Sequence, residues 1–582
     1  MISRIRRRVE ALGWAEWALI AWCALMLGVL VAWMVTNTAP PPWDESWYLQ
    51  TSVLFFHALQ SGNLGAFARL VATAFGGTKA PLISLLPLPA YLVGGVGYGS
   101  IIVTNAIVAL VGWIALFLYA RPTLGPWRAL AVVMTFTLMP VSFGIARQFL
   151  VETSLTDLVI IWMLLLQRSN LLSPVPQPVR PQRRGAARRV GKAQLQATGG
   201  YDVWLGVVLG LGMLSKVDFP LYVAAPTVLG LVATARRQYA LTGRTTVWRQ
   251  VATVLVIGLV VCSVWYGPNL LTVTQYALSA GFGKIAGNYS YGNPFNPATV
   301  AYYLQTVANY GTSVYLAAAF VVVTCALCIR YRRSLSKRIA AQTGGIHEIL
   351  WLVVPLLIFL FGVNKDYRFL LPLLPAAALL IVRGASALVR CPQLRVALLA
   401  VALVGPLCLV GETSLPGVPI LPAVTPGGFA VMSPYLGYAT QPVRQQWPLK
   451  AILRTIEASA HRKYPASGTI PLVLLVVDNP YFNQNNMSYY AAVMNLPLVV
   501  SAVETSAPSG ASYALAYLGQ AQYVITKTGN QGPTFTTYLN GWIRSQLQSG
   551  RLPFHPIADF RMPDGSVAVV YARNESSAAA RE

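Results

Sequence analysis

Long uninterrupted apolar runs decide what this chain can fold into. They lie at roughly 13–35, 101–120, 129–147, 153–167, 203–216, 218–235, 250–267, 311–329, 346–363, 369–389 and 395–412. Runs of about 18 to 22 residues have the length an α-helix needs to cross about 30 Å of hydrocarbon. With 55% of the 582 residues hydrophobic and only 10% charged, a water-soluble surface is excluded. The predicted fold is an all-α polytopic membrane bundle of about eleven spanning helices. The first run, Trp14 to Val35, is too long for a removable signal peptide and lacks its small-residue cleavage site, so it reads as an anchor.

A formal net charge of +25 would suit nucleic acid if the cations formed one surface. Instead they sit in short loops between apolar runs, at Arg4 to Arg8, Arg180 to Lys192, Arg236 to Arg249 and Arg330 to Arg338. That is the positive-inside pattern, and no nucleic-acid partner is expected. Segment 80–98 decides the topology. Pro81, Pro87 and Pro89 break its hydrogen-bond ladder, and Gly94, Gly95, Gly97 and Gly99 weaken its end. If it does not cross, the basic loops 121–128, 168–201, 236–249, 330–345 and 390–395 all face the cytoplasm with the N-terminus. If it crosses, all of them land outside. The charge rule therefore keeps it at the outer interface, which leaves 36–100, 268–310 and the tail outside an inner (plasma) membrane. Ala-rich helices with abundant Arg fit a bacterium.

Composition changes after residue 412. Strand-like runs at Ile470 to Val477, Leu496 to Val503, Tyr523 to Thr526 and Val567 to Tyr571, separated by turn signals, read as a soluble extracytoplasmic α/β domain. The expected organisation is a transmembrane domain over 1–412 and this domain over 413–582. Loop 171–200, rich in Pro, Gln and Arg, reads as disordered. The four histidines, His57, His347, His461 and His555, are scattered, so no metal-ligand cluster is visible.

The chemistry-bearing residues are few. Asp44 and Glu45, followed by Tyr48, stand just beyond the first helix in Pro40-Pro-Pro-Trp-Asp-Glu-Ser-Trp-Tyr48. Such an acidic pair at a membrane interface serves as a general base or a metal ligand, or Asp44 simply caps a helix starting near Glu45. Together with Lys79, Arg147, Glu152, Lys216, Lys365 and Arg368, both carboxylates fall in predicted outer loops or at outer helix ends. Charges gathered at one membrane face either line a common aqueous cavity or snorkel singly to headgroups.

The order of these motifs resembles the GT-C membrane glycosyltransferases, especially the protein O-mannosyltransferases and lipid A aminoarabinose transferases. Asp44-Glu-x-x-Tyr48 resembles their acidic motif after helix one. Gly77-Thr-Lys79-Ala-Pro81-Leu resembles Lys-Pro-Pro-Leu, with Ala80 in place of the first proline. Arg147-Gln-Phe-Leu-Val-Glu152 resembles the acidic site of the second outer loop, and Gly212-Met-Leu-Ser-Lys216 a Gly-x-x-x-Lys step. Lys365-Asp-Tyr367-Arg368-Phe-Leu-Leu-Pro372 resembles Lys-x-x-Arg-Tyr-x-x-Pro, with Phe369 in the aromatic position.

The resemblance spans about 1–412 and implies an inverting transfer of sugar from a polyprenyl-phosphate donor to an envelope acceptor (lipid, glycan or protein). It assigns Asp44 as the general base, with Glu45 beside it, and Glu152 as the group that orients the acceptor or binds a metal. Lys79, Arg147, Lys216, Lys365 and Arg368 become candidates for the donor phosphate. Tyr48, Tyr367 and Asp157 are secondary candidates, Asp157 reading equally as a polar helix residue. Metal dependence stays open, because relatives differ. A transporter or flippase of lipid-linked sugars is the competing class, since it too needs a charged cavity in a bundle.

Overall fold

The computed structural model describes residues 13–169, 199–242, 245, 247–331, 343–415, 422–463, 470–503 and 510–574. The clusters Arg4 to Arg8 and Arg180 to Lys192, most of Arg330 to Arg338, and most of loop 171–200 lie outside the described residues. The chain forms two compact units. The first comprises Met1–Met34, Val71–Ile83 and Ile102–Pro442, and the second Val35–Leu70, Ser84–Ile101 and Val443–Glu582.

The first unit is a helical bundle. Every predicted apolar run lies on helix, and the chain is a multi-pass membrane protein. Among the described residues, six helices are long and apolar enough to cross a membrane, or up to eight if each bent pair counts as one span. One such pair is Pro126–Thr137 with Pro140–Ala146, bent by 73°; the other joins Pro297–Thr312 to Val314–Arg330, bent by 110°. Pro140, at the start of the second half of the first pair, cannot donate back across the break.

The other three runs are the helices Val151–Arg168, Gly199–Ser215 and Thr343–Phe361. The first carries Glu152, Asp157 and Arg168, and the second has only 17 residues. Exposure follows the solvent: Leu255, Leu259, Val260, Val264 and Leu271 on the helix Val247–Gly281 are more than half exposed, as lipid-facing side chains are. Segment 80–98 holds two short helices, Leu82–Leu85 and Leu88–Gly94. Seven residues extend about 10 Å, too short to cross a bilayer as one helix.

The second unit is built on a five-stranded sheet: β1 (Leu472–Val476), β2 (Val499–Ala502), β3 (Tyr523–Lys527), β4 (Phe554–Arg561) and β5 (Val567–Arg573). Its strand order is β2-β1-β3-β5-β4, with β1 parallel to β2 and β3, and β5 antiparallel to β3 and β4. Both faces are covered, which is why the inner strand β1 reads as an unbroken apolar run. Val473 and Leu475 pack with Ile452, Ile456, Met487 and Ala491 on one side, and Leu474 and Val476 with Ala514, Leu518, Ile543 and Leu547 on the other. Strand β4 has no counterpart among the predicted strands. It contains Pro556 and a bulge between Pro556 and Ala558, features tolerated because β4 is an edge strand.

An ion pair with only its lysine buried closes this sheet. Lys527, at the end of β3, donates to Asp564 Oδ2 at 2.6 Å and to the carbonyls of Asn530 and Thr528. Burial acts to raise the Asp564 carboxyl, but hydrogen bonds from Lys527 and Ser566 outweigh it and hold it below the usual aspartate value. A depressed folded-state value means stabilisation that is complete above the unfolded aspartate pKa of about 3.9 and lost as pH falls through the folded value. Wild type should therefore protect the amides of β3 and β5 from hydrogen exchange better than Asp564→Asn at pH 6. That advantage should begin to shrink as pH falls below about 4 and vanish once pH lies below the depressed folded value; an advantage independent of pH across that whole range would refute the assignment.

Candidate active site

In the first unit, three helix ends bring a set of charges together. Glu152 lies in the first turn of Val151–Arg168, where its carboxylate complements the helix N-terminus. Lys216 and Asp218 sit in the tight turn after Gly199–Ser215. Gly212 permits that turn, because a Cβ there would overlap the ring of Phe219 as it folds back. Asp366 and Arg368 open the 3₁₀ turn Tyr367–Leu373. Asp366 caps it by accepting from the backbone N–H of Arg368 at 3.1 Å, while Trp351 Nε1 donates to the Pro372 carbonyl and Tyr222 to that of Phe369.

The charges interlock. Lys216 Nζ lies 3.1 Å from Glu152 Oε1 and 3.5 Å from Asp218 Oδ2, and 3.9 Å above the Phe369 ring. Arg368 Nε lies 2.7 Å from Asp366 Oδ2 and 3.6 Å from Glu152 Oε1. Glu152 is only 1% exposed, so its charge depends on these cations. Its Oε2 and Asp218 Oδ1 have no hydrogen-bond partner among the described residues.

Other predicted cations are used differently. Arg147, 1% exposed, donates Nη1 to the Thr413 carbonyl and Ser414 Oγ, at the C-terminus of the last bundle helix Pro392–Ser414. Its guanidinium lies 4.8 Å from the Trp33 ring. Lys365, 2% exposed, donates to the carbonyls of Phe359 and Leu360 at the end of Thr343–Phe361, and burial pushes its ammonium below the usual lysine value. Both cations satisfy helix-terminal carbonyls, while Arg147 Nε and Nη2 have no hydrogen-bond partner among the described residues.

Tyr367 packs its ring between Tyr310 and Tyr438, with its hydroxyl against Gly437 in the turn of the hairpin Tyr435–Leu436/Ala439–Thr440. Asp157 is buried one and a half turns beyond Glu152, in a notch left by Gly112, where a Cβ would overlap the carboxylate. It is a polar helix residue apart from the cluster. Lys79, half-buried, follows a loop that Asn269 ties down by donating to the Ala72 carbonyl. Gly77 in that loop has φ +74° and no room for a Cβ beside Asn269.

The acidic motif belongs to the second unit. Its helix runs from Trp43 to Gln60 with Pro42 at the N-cap position, so Asp44 lies inside the first turn and is not the cap. Asp44 is half-buried, whereas Glu45 is 3% exposed and Tyr48 5%. The helix packs on Gln484–Val493. Burial, and next the Glu45 carboxylate, push the Tyr490 hydroxyl up to about 12. Trp43 anchors the junction: its indole donates to Asp478 Oδ1 at 3.0 Å and its carbonyl accepts from Asn485.

Sequence reasoning missed Asp218 and overlooked Asp366 as a participant. A carboxylate two residues from each predicted cation was the available signal. Among the described residues, no three His, Cys, Asp or Glu side chains are grouped to hold a metal ion.

No protein-family model and no curated protein matches this chain. Solved structures do. ArnT from Cupriavidus metallidurans bound to undecaprenyl phosphate is matched over 94% of this chain and 98% of its own, with a TM-score of 0.54 at 15% identity. The archaeal oligosaccharyltransferase AglB from Archaeoglobus fulgidus, in complex with an inhibitory peptide and a dolichol-phosphate, is matched over 97% of this chain and 75% of its own. There the TM-score is 0.52 at 10% identity. At such identities the likeness is one of fold.

Proposed function

Starting from a chain with the GT-C fold shared by ArnT and AglB, we propose that it is an inverting glycosyltransferase. It moves a sugar from a polyprenyl-phosphate donor to an envelope acceptor at the outer face of the membrane. The observation that carries this reading is the cluster in which Lys216 is held by Glu152 and Asp218, and Arg368 by Glu152 and Asp366. Cations fixed in advance stabilise a developing phosphate anion without reorganising.

The reaction is a single displacement. An acceptor hydroxyl or amine gives its proton to Asp44 and attacks the anomeric carbon. The bond from that carbon to the phosphate oxygen breaks, and polyprenyl phosphate leaves with the electron pair, stabilised by Lys216 and Arg368 with Lys79 as a further cation. Glu152 positions both cations. Arg147 and Lys365 act as helix-capping supports.

Purified protein in lipid nanodiscs, given polyprenyl phosphate carrying a labelled sugar and an envelope extract, should release label into the acceptor fraction. In sealed vesicles, donor crossing the bilayer with no glycosylated product would instead establish the flippase reading. The topology has its own test. In a cysteine-free background in intact cells, Gly97→Cys should react with a membrane-impermeant thiol reagent and a cysteine at position 391 should not. Protection at 97 would overturn the outer placement of segment 80–98.

A further inference from the structure

The second unit holds a cavity of about 350 Å³ at the carboxyl ends of β1 and β2, within the range of about 300–1,000 Å³ typical of small-molecule sites. Its place follows from topology. From β1 the chain crosses to β2 through Gln484–Val493 on one face of the sheet, and from β2 to β3 through Gly510–Leu518 on the other. Connections that leave on opposite faces open a crevice at the strand ends, the usual ligand position in such sheets.

The lining is polar but nearly uncharged. Asn485, Ser501, Asn540, Tyr513 and Tyr517 line it, with Asp478 the only charged side chain among the described residues. Asn540 is 3% exposed, yet its Nδ2 has no hydrogen-bond partner among the described residues. A buried amide donor left unpaired costs about 1–3 kcal/mol, which an occupant accepting from it would recover. The Asp478 carboxylate already accepts from Trp43 and from Thr536 at 2.8 Å. With two oxygens it has lone pairs left for a ligand hydroxyl. Tyr513 and Tyr517 lie nearly parallel, 11° apart with centroids at 6.0 Å, and the Tyr517 hydroxyl is 3.1 Å from Ser501 Oγ.

These features exclude the common occupant of this crevice, a phosphate or nucleotide. Among the described residues, no lysine, arginine or histidine lines the cavity. The anion-binding amides at the start of Gln484–Val493 are already taken, because Asn483 Oδ1 accepts from Asn485 and Asn486 at 2.9 and 3.2 Å. An unpaired amide donor, a carboxylate acceptor, hydroxyls and an aromatic wall together match a compact, uncharged, polyhydroxylated ring.

We propose that this cavity binds one neutral sugar unit. The proposal does not depend on the transferase reading, since its test has no transfer step. Full-length protein in nanodiscs, free of sugar-headed detergent, is mixed with methyl glycosides of neutral hexoses and pentoses and probed by saturation-transfer difference NMR. At least one glycoside should show transfer, competed by the same free sugar and not by inorganic phosphate. Asn540→Asp, which reverses the donor at constant shape, should weaken binding at least about tenfold. Tyr513→Ala, on the exposed rim where truncation leaves the core intact, should do likewise. Hydrogen exchange of β1 and β3 confirms that each variant is folded. Absence of transfer from every neutral glycoside overturns the proposal. So does binding that survives both substitutions, or preference for a sugar phosphate over its neutral counterpart.

Discussion

Asp44→Asn is expected to slow sugar transfer by about 100- to 10,000-fold while membrane insertion and donor binding stay near wild type. The amide keeps the carboxylate's shape but cannot take the acceptor's proton at neutral pH. The structure sharpens this test. Had Asp44 been the N-cap, Asn would have replaced it almost without effect, yet that position belongs to Pro42. What Asn removes is a negative charge in the first helical turn, worth about 0.3–1 kcal/mol to the helix. Donor-dependent transfer at a normal rate in purified Asp44→Asn would reject this residue as the base.

Arg368→Ala is expected to act on donor binding and turnover together. Losing a charged hydrogen-bonding partner costs about 1.5–3 kcal/mol, so donor affinity should fall by roughly 10- to 150-fold. Stability should fall as well. Arg368 faces both Asp366 and the buried Glu152, and removing one member of a buried charged network costs about 3–5 kcal/mol. Arg368→Lys separates the two effects, since it keeps the charge but loses the guanidinium geometry. Thermal unfolding in nanodiscs and equilibrium donor binding read them independently. Full donor affinity in a folded Arg368→Ala protein would remove this residue from the phosphate site.

The bundle was legible because apolar runs of spanning length have few alternatives, and each of them lies on a helix. Broken spans were not legible as broken: Pro140 sits inside an apolar run whose composition says nothing of a 73° bend. Among the candidate site residues, Glu152, Lys216 and Arg368 come together because three helix ends converge. Arg147 and Lys365 look the same in sequence but turn to helix-terminal carbonyls. A cation beside an apolar run has three outlets, a ligand, a carboxylate or a backbone carbonyl, and only packing decides between them. Asp366 was hidden because a residue that caps its own turn looks like a loop residue until its partner Arg368 is seen. In the tail, β4 was lost to Pro556, which reads as a strand breaker unless the strand is known to be an edge. The expected boundary at 412 also differs from the compact division, where residues up to Pro442 belong with the bundle and Val35–Leu70 and Ser84–Ile101 with the tail.

The helix that carries Asp44 and Glu45 is packed on Gln484–Val493, with Trp43 stitched to Asp478 and Asn485. Residues some 440 positions apart thus share one interior, and this constrains how such a chain can be re-engineered or can diversify. A tail grafted from a distant relative would arrive without the partner surface that the recipient's first loop has been shaped to meet. Working chimeras should therefore exchange residues 35–70, 84–101 and 443–574 as one cassette.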